Sequence, residues 1–141
     1  MKTVLFACVH NAGRSQIAAA FFGELADPAL ARAISAGTQP GSAVHPVVVT
    51  AMREVGIDLS RARPRRLTAE LARGADLLIT LGCGEECPLV PSLPVEDWPV
   101  SDPKVEPPER VREIRDELRE RVRDLLARRG WARRTSESLP D

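Results

Sequence analysis

Hydrophobic positions fall in short blocks whose spacing alternates between sheet-like and helix-like. Thr3–Cys8 is a nearly continuous apolar run of strand length, and Ile17, Phe21 and Leu25 then recur at helical spacing within Arg14–Leu25. Asp27-Pro28 marks a turn, and Ala31–Ser35 reads as a second strand closing at Ala36-Gly37. Val44-His45-Pro46 leads into a helix carrying Val48, Met52 and Val55, which Gly56 stops. Asp58–Arg66 is a polar, arginine-rich loop, and Thr68-Ala69-Glu70-Leu71 predicts a capping box opening a short helix. Asp76–Leu81 is compact and apolar, a strand buried on both faces. A flexible loop, Gly82–Pro88, and a proline-punctuated stretch precede a short fourth strand over Val95–Val100, ended by Ser101-Asp102-Pro103. The longest element, Pro108–Arg129, lines up Val111, Ile114, Leu118, Val122 and Leu125 on one face. Glu117/Arg121 and Asp124/Arg128 form favourable pairs on its outer side, and Gly130 ends it.

Strands alternating with helices predict an α/β fold: a three-layer sandwich with a four-stranded parallel sheet and helices on both faces. One domain over residues 1–130 accounts for these elements, with 131–141 as a flexible tail and no internal repeat. Ligands of such sheets bind outside the carboxyl ends of the strands. Cys8, Gly82-Cys83 and Asp102 each follow a predicted strand, so one edge collects them.

Charge narrows the partners. Across 141 residues, 20 basic and 20 acidic side chains cancel, so no global field favours nucleic acid or a membrane surface. Met1-Lys2 and the apolar run behind it resemble a short signal peptide, but His10, Asn11, Gly13 and Arg14 interrupt the run. No segment approaches the roughly 18 apolar residues of a membrane span. A cytoplasmic location is expected, where the three cysteines stay reduced and serve chemistry more than cross-linking.

That chemistry concentrates at Cys8-Val9-His10-Asn11-Ala12-Gly13-Arg14-Ser15, a Cys-x5-Arg-Ser loop between a strand and a helix. A helix start carries partial positive charge and unpaired N–H groups, and an arginine adds a planar two-pronged donor. The backbone of Val9, His10, Asn11, Ala12 and Gly13, with Arg14, is thus an oxyanion cradle above the Cys8 sulfur. Gly13 allows close approach of the backbone, and Ser15 can donate its hydroxyl to the thiolate. Taken alone, Cys8 would read as a small buried hydrophobe; Arg14-Ser15 at this spacing makes it a nucleophile. Cys83 and Cys87, with Gly82 and Gly84 flanking the first, supply two further thiols for disulfide exchange. The rival use of Cys-x3-Cys is half a zinc site, but the only histidines are His10 and His45, so a full ligand set is hard to assemble and no metal is expected.

The stretch Cys8–Ser15 resembles the phosphate loop of low-molecular-weight protein tyrosine phosphatases. Cys-x-x-Asn-x-x-Arg-Ser-Gln is more similar to the arsenate reductases built on that fold, of the thioredoxin-coupled type. Ser35-Ala36-Gly37, His45-Pro46, Gly56–Ser60, Leu78–Leu81, Cys83…Cys87-Pro88 and Asp97-Trp98…Asp102-Pro103 agree in order, so the resemblance spans the chain to about Arg129. It implies that Cys8 attacks arsenate held by the loop and Arg14 while Asp102 protonates the departing oxygen. Cys83 then attacks the adduct, arsenite leaves, and Cys87 moves the disulfide to Cys83–Cys87 for thioredoxin to reduce. It also implies arsenic detoxification, no bound cofactor, and phosphate or sulfate as competing anions.

Departures qualify the match. The resolving cysteines of some thioredoxin-coupled relatives lie farther apart, and Ala19 stands where some carry a carboxylate for potassium. Mycothiol-coupled relatives dispense with the pair, so a mycothiol-coupled reductase is one alternative. A second is a phosphatase hydrolysing phosphomonoesters through Cys8, although Lys104 occupies the place of a phosphotyrosine-binding aromatic after Asp102-Pro103. A third is an oxyanion or redox sensor. Arg61, Arg63, Arg65 and Arg66 read as a solvated loop rather than a docking surface, and His45 as a hydrogen-bonding residue at a helix start.

Overall fold

The structure, a computed structural model, describes residues 1–82 and 92–133. Its centre is a parallel sheet of four strands: β1 (Lys2–Cys8), β2 (Ala31–Gly37), β3 (Leu77–Thr80) and β4 (Val95–Asp97). They lie in the order β2-β1-β3-β4, with Cys8 opposite Gly37 and Ala7 opposite Thr80. β1 and β3 are central, which is why their apolar runs do not alternate: from Thr3 to Cys8 and from Leu77 to Thr80 every residue is buried.

Helices cover both faces, as the pattern predicts. Val4, Phe6, Leu77 and Ile79 face α1 (Arg14–Leu25), α2 (Pro46–Arg53) and α4 (Pro108–Arg129). Leu5, Ala7 and Leu78 face α3 (Ala69–Arg73), through Ala72 and Leu71. The predicted stripe of α4 is buried at Val111, Ile114, Leu118, Val122 and Leu125. Gly130, at φ 74°, closes the helix in the left-handed conformation. Glu117 and Asp124 pair with Arg121 and Arg128 at 3.5 and 2.8 Å.

Four local expectations are corrected. β4 stops at Asp97 rather than Val100, because Pro99 has no N–H to give a ladder. α2 ends at Arg53, before Val55. The cap of α3 is half a box: Thr68 accepts the Leu71 N–H at 3.0 Å, but Glu70 sits one position too early to reciprocate. The chain also remains docked past Gly130. The Asp27 N–H donates to the Trp131 carbonyl at 2.8 Å, the Arg133 N–H donates to Leu25 at 3.0 Å, and Trp131 packs edge-on against Phe22. The rest of the expected tail, 134–141, lies outside the described residues.

Candidate active site

β1 stays in the sheet and buried to its last residue, so Cys8 is delivered to the carboxyl edge at 2 % exposure. Beyond it the chain turns through Asn11 in the left-handed region, at φ 51°, a conformation asparagine tolerates better than most residues. The reason is visible in its contacts. Asn11 Nδ2 donates to Ser15 Oγ at 2.6 Å, and Oδ1 accepts the Arg65 N–H at 2.9 Å. Gln16 Nε2 donates to the Asn11 carbonyl at 3.0 Å and to the Arg63 carbonyl at 3.3 Å. This network, buried at Asn11, Ser15 and Gln16 and reaching the surface at Arg63 and Arg65, ties the loop to the body of the domain.

Cys8 Sγ lies 2.9 Å from Ser15 Oγ and accepts the Asn11 N–H at 3.3 Å. Ser15 Oγ already accepts one hydrogen bond from Asn11 Nδ2, and its own hydrogen is free to turn toward sulfur. The Asn11 N–H donates to the sulfur and the Ser15 hydroxyl can do the same, so a thiolate at Cys8 would find two donors in place.

The loop's carbonyls face away. Those of Cys8, Val9, His10 and Ala12 accept the N–H groups of Thr38, Gln39, Gly41 and His45 at 3.2, 2.7, 2.9 and 2.9 Å. The amides of His10, Ala12 and Gly13 have no acceptor among the described residues. Oxygens are thus spent on the β2–α2 connection and N–H groups are reserved for whatever enters. Gly13 serves a purpose the sequence reading did not assign: a Cβ there would stand 3.1 Å from Pro103 Cγ, so its bareness seats the Asp102-Pro103 turn against the loop.

Arg14, 12 % exposed, donates through Nη1 to the Val100 carbonyl at 3.1 Å, while Nη2 lies 3.6 Å from Asp102 Oδ2. Asp102 Oδ1 accepts the Lys104 N–H at 2.9 Å. Cys8, His10, Ala12, Gly13, Arg14, His45 and Asp102 line one pocket. The structure thus brings together Cys8, the loop, Arg14, Ser15 and Asp102. Cys83 and Cys87 fall outside the described residues. Arg61, Arg63, Arg65 and Arg66 are exposed, although Arg63 and Arg65 touch the loop network through their backbones.

His45 is the residue that sequence reasoning missed. It is the N-cap of α2 but makes no side-chain cap, and its imidazole joins the pocket instead. Burial holds it below its ordinary value; Asp102 pulls it upward, and Lys104 and His10 push it down. The available signal was compositional: the chain has only two histidines, and both line this pocket.

Residues 3–134 match the family described as low molecular weight phosphotyrosine protein phosphatase. The chain belongs to that family. Within it, the chain is 37 % identical over 131 residues to a glutaredoxin arsenate reductase of Synechocystis sp., covering 91 % of this chain and 98 % of that one. It is 32 % identical over 132 residues to an arsenate reductase of Staphylococcus aureus, covering 90 % and 98 %. Among solved structures, the thioredoxin-dependent arsenate reductase Cg_ArsC1' of Corynebacterium glutamicum superimposes with a TM-score of 0.76 at 39 % identity, covering 90 % of this chain. This chain spans 61 % of that neighbour's length. A phosphate-binding state of another arsenate reductase matches with a TM-score of 0.74 at 33 % identity, covering 91 % of this chain and 98 % of that one. The fold itself, α/β with an all-parallel sheet, is that of these neighbours.

Proposed function

We propose that this protein reduces arsenate to arsenite in the cytoplasm, with thioredoxin as the final reductant. The observation that carries the reading is the Cys8 sulfur beneath unspent loop amides, beside Arg14 and Asp102, in a chain similar to arsenate reductases. Arsenate sits with three oxygens on the loop and Arg14. The Cys8 thiolate attacks arsenic, and Asp102 gives a proton to the departing oxygen, which leaves as water; unprotonated oxide is a poor leaving group.

The redox step then needs two electrons. The Cys83 thiolate attacks Cys8 sulfur, the S–As bond breaks, and its electron pair stays on arsenic, which leaves as arsenite. The Cys87 thiolate attacks Cys83, frees Cys8, and leaves a Cys83–Cys87 disulfide whose reduction by a dithiol closes the cycle. The cysteine pair favours a protein dithiol over mycothiol. Arginine and amides grip phosphate as they grip arsenate, so slow hydrolysis of small aryl phosphates is expected as a side activity; it stops at Cys8 and needs no other thiol.

The test is NADPH consumption with arsenate, thioredoxin and thioredoxin reductase, set against glutaredoxin with glutathione. Cys8→Ser, Cys83→Ser and Cys87→Ser should each abolish thioredoxin-driven turnover. Full turnover in Cys83→Ser would refute the relay while leaving Cys8 as the nucleophile.

A further inference from the structure

Gly82 stands against the Arg14 guanidinium. A Cβ on Gly82 would come 3.0 Å from Arg14 Cζ and 3.4 Å from Nη2, with Nη1 nearer still. No side chain fits there unless the guanidinium moves. The edge of the same group is fixed by the Val100 carbonyl and by Asp102, while Nε makes no hydrogen bond to a described residue. Arg14 is therefore held on one side by bare backbone and on another by a carbonyl, and it lines the same pocket as Cys8 and the loop.

A free arginine side chain loses considerable rotamer entropy when it clamps an anion, and pre-ordering removes that cost from binding. We propose that Gly82 is a positioning residue for oxyanion capture: it holds the Arg14 fork in its clamping orientation, and glycine stands there because a Cβ would evict the fork. The inference rests only on the anion-binding half of the proposed function, not on the reductase chemistry.

A competing explanation is backbone conformation alone, since Gly82 has φ 84°. The molecule contains its own control. Gly56 has φ 85°, yet nothing lies within 4 Å of a Cβ built on it. Gly56→Ala carries the same backbone strain without touching Arg14.

The decisive measurement is sulfate affinity by isothermal titration at constant ionic strength, which requires neither turnover nor a reductant. Gly82→Ala should weaken sulfate about tenfold or more, in line with losing much of one oriented donor, while Gly56→Ala stays within about twofold. In an Arg14→Lys background, whose ammonium has no fork to evict, Gly82→Ala should add less than about threefold, the non-additivity expected of residues that act through each other. Equal losses in both backgrounds, or undiminished affinity in Gly82→Ala, would overturn the proposal. Should Gly82→Ala not fold, Arg14→Ala/Gly82→Ala must recover the fold, because the obstructing group is gone; an unfolded double variant would also overturn it.

Discussion

Two arginines, nearly equal in burial, are used in opposite ways. Arg115, 10 % exposed, is anchored by three bonds: Nε donates to Asp116 at 2.8 Å, and Nη1 to the Ala51 carbonyl and to Glu54, both at 2.9 Å. Its protonated form is held more firmly than usual, first by the Asp116 bond. Glu54 also takes Arg112 in a two-pronged contact, so the seam between α2 and α4 is stitched by charge. Arg14, 12 % exposed, has one carbonyl at 3.1 Å and a carboxylate at 3.6 Å, beyond hydrogen-bond length. An arginine tied to two carboxylates and a carbonyl is structure, whereas one with a single bond beside a nucleophile is a site waiting for an anion.

Exchanging the fates of the two should break the comparison most visibly. Arg14→Ala should lower arsenate turnover by about 10²–10³-fold, the usual loss for one oxyanion donor, with little change in urea midpoint. Arg115→Ala should do the reverse. Turnover stays within about threefold, and stability falls by about 1–3 kcal/mol, less than for a fully buried pair because Glu54 and Asp116 are partly solvated. Urea unfolding with parallel kinetics separates the two; loss of both properties in either variant would erase the distinction.

Ser15→Ala sharpens the site side. It removes the group at 2.9 Å from Cys8 Sγ and leaves Asn11 Nδ2 without its acceptor. Turnover should fall about tenfold, a charge-assisted hydrogen bond's worth, and alkylation of Cys8 by iodoacetamide should slow with it. The smallest effect belongs to His45. Burial lowers its folded value below the ordinary 6.5, so on acidification the unfolded chain binds the proton first. Stability from this group is intact above about 6.5 and declines as pH falls below it. His45→Asn should flatten that part of the profile when urea midpoints at pH 7.5 and 5.5 are compared.

The same contrast shows what could be read in advance. Arg14 announced itself by spacing from Cys8, and the α4 stripe by its period; both are local signals. Arg115 gave none, because Ala51 lies on α2 and Glu54 just past its end, 64 and 61 residues away. His45 reads as a helix-start residue because Pro46 follows it, yet its side chain lies beside Gly13 and lines the pocket with Asp102. By sequence Gly82 is a loop glycine flanking Cys83, whereas the structure sets it against Arg14. Short range was legible; contacts across the carboxyl edge were not.

The outward-turned carbonyls of the loop have a consequence for which ions the pocket will refuse. To offer an oxygen to a cation, a peptide plane at Cys8, Val9, His10 or Ala12 would have to flip and abandon its bond to the β2–α2 connection. Each flip forfeits a backbone bond and strands its partner. The main chain of the loop thereby offers donors and withholds acceptors, and substitutions along the rim can retune which tetrahedral guest is preferred while that backbone bias stays.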